Sequence, residues 1–306
     1  MPSDNGATFG GVPRRWRAAL FIAASLVLGA EHVKCVHWRY VGEAGRVDKK
    51  RVDEASGLAV SRRLKNVLWT HNDQPGDERV FALDFQGELV GQLDVQVDSL
   101  DWEDIAIGPC GNTRRSCLYV ADIGASERRR KSLQILRFAE PDLDPDVKPR
   151  LRADVTQLDI AHFRYADGEH RDAEALMVDK LGTLWLFDKN ESGASVFRAR
   201  FDRGLRPGAT FRKVATRTDV RFVTAADIAA DGRRFVVRNP DDAYEFVIRP
   251  GQDVAAAFQG PFEKIDLREE RQGEAIGYGA NGLSLFTLGE GKREPIHRYV
   301  RRSKCP

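Results

Sequence analysis

The sequence predicts an all-β protein, a single β-propeller with five blades. Three observations favour this fold. A short pattern of acidic and apolar residues recurs along the chain, each copy is followed by further strand-like runs, and helical periodicity is scarce. The copies lie about 50 residues apart, with one longer interval of about 70, which suits repeats that each form one four-stranded blade.

The repeated pattern is an acidic or small residue followed by an alternating apolar segment. It occurs at 54–60, 101–107, 172–178, 226–229 and 272–276. Each copy precedes two runs of β-branched and aromatic residues that are bounded by Gly, Asn, Asp or Pro, as is typical of short strands. Helical spacing is confined to stretches such as 253–258. The longest interval contains 142–156, which is either a long loop or a degenerate sixth blade.

The two ends of the chain predict how the ring closes. The last copy leaves no room for an outer strand after 298–300, whereas the strand-like segment 36–41 precedes the first copy without a partner. We expect 36–41 to be the outer strand of the last blade. This closure would bring Cys35 and Cys305 together.

All four cysteines are predicted to form disulfides, Cys35–Cys305 and Cys110–Cys117. The second pair flanks the turn-forming stretch 111–113 and would staple a hairpin. A zinc site is the alternative, but the sequence has no CxxC and no nearby His cluster.

The N-terminus resembles a secretory signal. Arg14, Arg15 and Arg17 precede an apolar run at 18–29, and small residues follow. We expect a signal peptide over 1–30 and a propeller domain over 31–306, in an exported protein of the periplasm or the extracellular space. An uncleaved N-terminal anchor is the alternative. No apolar run reaches the roughly 18 residues of a membrane span, so none is expected after removal of the leader.

The composition of the chain argues against nucleic acid as a partner. The chain has 306 residues, with 48 Lys and Arg against 46 Asp and Glu, so it lacks the basic excess of a nucleic-acid-binding protein. The hydrophobic fraction of 42% excludes wholesale disorder. We expect a monomer with no nucleic-acid partner.

Propeller geometry predicts the position of a site. The starts of the first strands and the ends of the second strands meet at one mouth of the central channel. First-strand starts supply Glu54, Asp101, Glu103, Asp104, Asp172, Glu174, Asp227 and Glu274. Second-strand ends supply His71, Asn72, Asp73, Asp122, Asp188, Lys189, Asn190, Arg238, Asn239 and Glu290. Strand alternation puts Asp101 with Glu103, and Asp172 with Glu174, on the same face.

Crowded carboxylates repel one another unless a positive charge offsets them. A divalent cation would do so, and an all-oxygen ligand set favours calcium. The predicted metal ligands are Glu54, Asn72, Glu103, Asp122, Glu174, Asp188 and Glu274. Two alternatives stay open: compensation by Lys189, Arg238 and Arg171, or a water-filled channel whose polar residues only order water.

His71 and Asp73 are the candidate catalytic residues. As a general base beside Asp73, His71 would activate water. The alternative is that His71 is a hydrogen-bonded turn residue without a catalytic role.

Five motifs resemble a group of exported bacterial β-propeller proteins of unassigned activity: SGLA at 56–59, LWTHND at 68–73, DWEDIA at 101–106, YVADIG at 119–124 and DAEAL at 172–176. More distantly, the chain is similar to propellers of the phytase-like phosphoesterases and the calcium-dependent gluconolactonase group. This resemblance implies a divalent metal held by Glu54 or Glu103, Asn72, Asp122 and Asp188.

Two functions follow as hypotheses. The first is a binding protein that takes a small molecule, a protein or a glycan at the acidic mouth, with Trp102 as a candidate exposed contact. The alternative is a metal-dependent hydrolase of small esters, lactones or phosphoesters, in which a cation polarises the substrate.

Overall fold

Strands dominate the structure, a computed structural model that describes residues 37–302 except positions 49, 75, 112, 114, 126–129, 131 and 145–150. In this part of the chain the only helices are α1 (Phe201–Gly204) and α2 (Val254–Phe258), so the all-β class is confirmed. Helix α2 lies where the sequence indicated helical spacing. The proposed leader and the Cys35–Cys305 pair lie outside the described residues.

The strands form five antiparallel units of four strands each. The first strand of the chain, β1 (His37–Arg46), belongs to the last of these units. Unit 1 then contains β2 (Ala55–Val60), β3 (Val67–Asn72), β4 (Arg79–Asp84) and β5 (Leu89–Asp94).

Units 2 and 3 are joined into one eight-stranded sheet. The chain here runs through β6 (Trp102–Pro109), β7 (Ser116–Asp122), β8 (Leu133–Ala139), β9 (Leu151–Asp154) and β10 (Asp159–Tyr165). Strands β6, β7, β8 and β10 form unit 2. Between β8 and β10 the chain forms β9, which pairs in parallel with β5 of unit 1, and β10 then pairs antiparallel with β8 as the fourth strand of unit 2. Unit 3 contains β11 (Ala173–Val178), β12 (Thr183–Asp188), β13 (Ala194–Arg200) and β14 (Thr210–Arg217). A short parallel pairing of β10 with β14 links the two units.

Units 4 and 5 complete the series. Unit 4 contains β15 (Ala225–Ile228), β16 (Arg234–Arg238), β17 (Asp242–Val247) and β18 (Phe262–Asp266). Unit 5 contains β19 (Gly273–Tyr278), β20 (Ser284–Gly289) and β21 (Pro295–Arg302). Strand β1 pairs antiparallel with β21 as its outer strand, as the sequence predicted.

The first strands of the five units contact one another in a closed cycle. Strand β2 contacts β6, β6 contacts β11, β11 contacts β15, β15 contacts β19, and β19 contacts β2. An apolar core lies between each pair of neighbouring units. Adjacent residues of a strand therefore pack into different cores: Leu68 contributes to the core with unit 5 and Trp69 to the core with unit 2.

Two local predictions have clear outcomes. Cys110 and Cys117 form a disulfide across the β6–β7 hairpin, as predicted. Trp102, in contrast, is only 4% exposed, so its prediction as an exposed contact was wrong. Its side chain belongs to the core between units 1 and 2, where strand alternation directs it.

No helix among the described residues is long and apolar enough to cross a membrane.

Candidate functional site

A β-bulge recurs near the start of the first strand in units 2, 3 and 5. The strand register shifts between Trp102 and Asp104, between Ala173 and Ala175, and between Gly273 and Ala275. The extra residues at these shifts are Glu103, Glu174 and Glu274. Because a bulge redirects the side chain of its extra residue, these glutamates do not follow the alternation of their strands.

In units 1, 3 and 5, a backbone hydrogen bond joins the residue after the second strand to the segment just before the first strand. Asp73 N donates to Glu54 O at 2.8 Å, Lys189 N to Asp172 O at 2.9 Å, and Glu290 N to Gln272 O at 2.8 Å. The side chains that follow the second strands therefore lie next to those at the starts of the first strands.

These residues line a cavity of about 360 Å³, here called the acidic pocket. Its lining residues are Ser56, Asp73, Asp101, Glu103, Ala125, Asp172, Glu174, Lys189, Gln272, Glu274 and Glu290. The pocket thus brings together Asp73, Glu103, Glu174 and Glu274 from the predicted set. Asp101 lines it with Glu103, and Asp172 with Glu174, although the bulges break the strand alternation from which these pairings were predicted.

Negative charge greatly exceeds positive charge in this lining. Seven carboxyl groups line the acidic pocket together with a single cation, Lys189. Its Nζ lies 3.3 Å from Glu174 Oε2 and 3.8 Å from Glu274 Oε1. Two other predicted compensating cations do not line the pocket. Arg238 pairs with Glu270 at 2.6 Å, although its charge also lowers the pKa of Glu274, and Arg171 pairs with Asp167 at 2.7 Å.

Burial and mutual repulsion raise the pKa values of these carboxyls. Burial, then the charge of Asp101, raises the pKa of Asp73 to about 6. Burial, then the charge of Glu274, raises the pKa of Glu290 to about 7. Burial, then the charge of Glu174, raises the pKa of Glu103 well above its ordinary value, and burial raises the pKa of Glu174 to about 8 against the opposing charge of Lys189.

Glu274 has an unsatisfied oxygen in this pocket. The residue is only 5% exposed, and its Oε2 is buried without a hydrogen-bond partner among the described residues. Burial raises the pKa of this carboxyl, and Lys189 opposes the rise. A buried oxygen without a partner is costly in a folded protein, so Glu274 has acceptor capacity that the described residues do not use.

Gly124 was missed from the sequence, although it shapes the pocket. A Cβ at this position would overlap Glu103 Oε1 and Asp101 Oδ2. The absence of a side chain at Gly124 therefore leaves room for these two carboxyl groups. The YVADIG motif contains this glycine, but only the packing of the fold shows what it faces.

Several predicted ligands lie outside the acidic pocket. The amide of Asn72 is used structurally: its Oδ1 accepts from Glu54 N at 3.3 Å and its Nδ2 donates to Arg51 O at 2.9 Å. Glu54 does not line the pocket, but its charge helps to raise the pKa values of Asp73 and Glu290.

The carboxyl groups of Asp122 and Asp188 accept hydrogen bonds from backbone N–H groups. Asp122 Oδ1 accepts from Asp101 N at 2.8 Å and from Arg130 Nη2 at 2.6 Å, while its Oδ2 has no partner in the described chain. Asp188 Oδ1 accepts from Ser195 N at 2.6 Å. Neither residue lines the acidic pocket.

His71 is fully buried, away from the pocket lining. Its Nδ1 lies 3.1 Å from Asn72 O, and its ring packs edge-on against Trp102 at a centroid distance of 5.6 Å. Burial lowers the pKa of His71 to about 4, so the imidazole is neutral at physiological pH. The structure therefore does not bring His71 and Asp73 together in the acidic pocket.

Three of the metal ligands that the resemblance implies, Asn72, Asp122 and Asp188, are absent from the lining of the acidic pocket. Asn72, Asp122 and Asp188 direct side-chain oxygens to backbone N–H groups, as described above. Within the described ranges, no three His, Cys, Asp and Glu side chains form a group that could hold a metal ion.

Two further acidic residues predicted at the mouth connect neighbouring units. Asp104 Oδ1 accepts from Ile105 N and its Oδ2 from Leu176 N, both at 2.8 Å. Asp227 makes the same pair of contacts with the backbone of Ile228 and Tyr278, both at 2.7 Å. Each of these buried carboxyls ties the first strand of one unit to the first strand of the next.

Comparison of the chain with protein-family models gives no match, and comparison with curated proteins gives none either.

Proposed function

We propose that the five units are the blades of a β-propeller and that the acidic pocket lies at one mouth of its central channel. Two observations support this arrangement: the closed cycle of contacts between first strands, and the apolar core between each pair of neighbours. Such a ring needs each unit to bury both faces of its sheet, and β2, β3, β11 and β12 are buried at every residue.

On this scaffold the chain acts as a binding protein for a small ligand that carries a positively charged group. The observation that carries the proposal is the buried, unpartnered Oε2 of Glu274, in a pocket with seven carboxyl groups and one lysine. Ionised carboxylates removed from water are costly unless they are paired. A bound cation would supply the missing partner and lower the pKa values of its neighbours.

Calcium stays a prediction for this pocket, as does the metal-dependent hydrolase. The pocket offers oxygen ligands, which calcium prefers. The candidate base, His71, does not face the pocket, so the geometry favours binding.

The protein is also proposed to be exported. The predicted leader motivates this proposal, and the Cys110–Cys117 disulfide supports it, because disulfides persist mainly in oxidising compartments.

Thermal unfolding at pH 8 tests the binding function with two probe cations, calcium and methylammonium, against sodium at matched ionic strength. A ligand that binds only the folded state raises the melting temperature by mass action. We expect at least one probe to raise the Tm of the wild type, and Glu274→Gln to reduce that rise by at least half.

The matched control is Glu88→Gln, which changes an exposed glutamate outside the pocket and should leave the rise intact. No rise with either probe, or equal rises in the wild type and Glu274→Gln, would contradict the binding function.

A further inference from the structure

A second, larger cavity adjoins the acidic pocket. This side cavity has a volume of about 800 Å³, within the range typical of small-molecule sites. It is lined by Gly124, Ala125, Arg130, Ser132, Leu133, Phe163, Arg164, Tyr165, Gly168, Glu169, His170, Arg171 and Asp172. Ala125 and Asp172 line both cavities, so the two are direct neighbours.

The wall of the side cavity contains apolar and aromatic groups. Leu133 begins β8, and Phe163 and Tyr165 lie at the end of β10. The hydroxyl of Tyr165 is buried without a hydrogen-bond partner among the described residues. The guanidinium carbon of Arg171 lies 5.1 Å from the centre of the Tyr165 ring, within the range of a cation–π contact.

Two of the arginines in this wall already have acidic partners. Arg130 Nη2 lies 2.6 Å from Asp122 Oδ1, and Arg171 makes two hydrogen bonds with Asp167 at 2.9 and 2.7 Å. Arg164 and Glu169 are both exposed and carry opposite charges. The side cavity therefore does not share the strong negative charge of the acidic pocket.

We propose that the two cavities together bind one organic ammonium ion, with its ammonium group in the acidic pocket and its apolar body in the side cavity. This inference rests on the proposed function and names the ligand class. An ammonium group donates up to three hydrogen bonds, which suits several carboxyl oxygens, including the unpartnered Oε2 of Glu274. The apolar body is stabilised by removal from water against Leu133, Phe163 and Tyr165.

Three probes separate the contributions of charge and apolar body in calorimetric titrations at pH 8: 2-phenylethylammonium, methylammonium and the neutral 2-phenylethanol. We expect 2-phenylethylammonium to bind at least tenfold more tightly than either of the others. Equal affinities for the two ammonium ions would overturn the role of the side cavity. Binding of the alcohol as tight as that of the aromatic amine would overturn the role of the charge.

Ala125→Leu tests the junction between the cavities. It should lower the affinity for 2-phenylethylammonium to that for methylammonium, while the affinity for methylammonium stays within twofold of the wild type. Ala256→Leu, at an exposed position on α2, is the control and should change neither affinity. An unchanged preference for the aromatic amine in a folded Ala125→Leu variant would also overturn the proposal. Should that variant not fold, the three-probe series in the wild type decides alone.

The experiments distinguish failure of the proposed ligand class from failure of the proposed binding function. Calcium or methylammonium binding that depends on Glu274, without any preference for the aromatic amine, overturns only the ammonium ligand with an apolar body. Absence of any probe binding that is sensitive to Glu274→Gln overturns the binding function itself, and the further inference with it.

Discussion

Glu103 and Asp104 are neighbours in the chain, yet their carboxyl groups have different roles. Asp104 accepts hydrogen bonds from Ile105 N and Leu176 N and so joins two units. Glu103, at the bulge, lines the acidic pocket together with Glu174. The backbone around a buried carboxyl therefore decides whether it is used in holding the fold or left available to a ligand.

The same contrast recurs in units 4 and 5. Asp227 has a backbone N–H donor for each oxygen, whereas Glu274 has an oxygen without any partner in the described chain. Burial raises the pKa of both groups, so the pKa alone does not separate the two roles. The hydrogen-bond partners separate them.

The largest effect on stability is expected from removal of a carboxyl group that joins the first strands of two units. Asp104→Ala leaves the N–H groups of Ile105 and Leu176 buried without acceptors, and it should lower the free energy of unfolding by about 3 kcal/mol. Chemical denaturation measures this loss. Asp231→Ala, which removes only an exposed turn contact to Arg233 N, should cost less than about 0.5 kcal/mol. Equal losses in the two variants would refute the joining role.

Removal of the disulfide should have the next largest effect and leave binding intact. Cys110 and Cys117 are separated by seven positions, so their loop is short and its loss should cost about 2 kcal/mol. The pair lies at the end of β6 away from Glu103. Replacement of both cysteines by serine should therefore lower the Tm but keep the affinity for 2-phenylethylammonium. A matching loss of affinity would show that the hairpin and the acidic pocket are coupled.

Substitution of Glu290 should have the smallest effect on stability, and this effect should depend on pH. The pKa of Glu290 is raised from 4.5 to about 7 by burial and by the charges of Glu274, Asp73 and Glu54, against the opposing charge of Lys189. Between these values the folded state holds a proton that the unfolded state has lost, so this group makes stability fall as pH rises.

Glu290→Gln removes that trend. The variant should match the wild type at pH 4 and exceed it at pH 8 by about 1 to 2 kcal/mol, after allowance for its partial exposure. The opposite contribution of His71 is common to both proteins and cancels in the difference. Tm values measured from pH 4 to 8 test this prediction, and a difference that does not change with pH would contradict it.

Much of the fold could be predicted because its signals are local. Strand-like runs and turn residues identified the five units, and the unpartnered segment at 36–41 identified β1 as the outer strand of unit 5. The path of β9 could not be predicted, because this strand pairs in parallel with the distant β5. That pairing depends on the packing of two units and has no signature within 151–154.

The site was predicted in part for a related reason. The repeat places Glu103, Glu174 and Glu274 near the starts of first strands, but only the bulges show that these three residues are equivalent. Asp122 and Asp188 have the same charge but meet backbone N–H groups of Asp101 and Ser195, which spacing does not reveal.

The burial of His71 could have been predicted from its position in β3. It lies two residues after Trp69 on β3, and strand alternation places both side chains on the same face. Because Trp69 belongs to the core between units 1 and 2, the same parity predicts a buried His71.

The most direct test of the account compares the two kinds of carboxyl in one binding experiment. Calorimetric titration with methylammonium at pH 8 would use the wild type, Glu274→Gln and the conservative variant Asp104→Asn. We expect Glu274→Gln to weaken binding at least tenfold and Asp104→Asn to bind within twofold of the wild type. Equal affinities in all three proteins, or equal losses in both variants, would contradict the claim that the bulge glutamates form a ligand site distinct from the joining carboxyls.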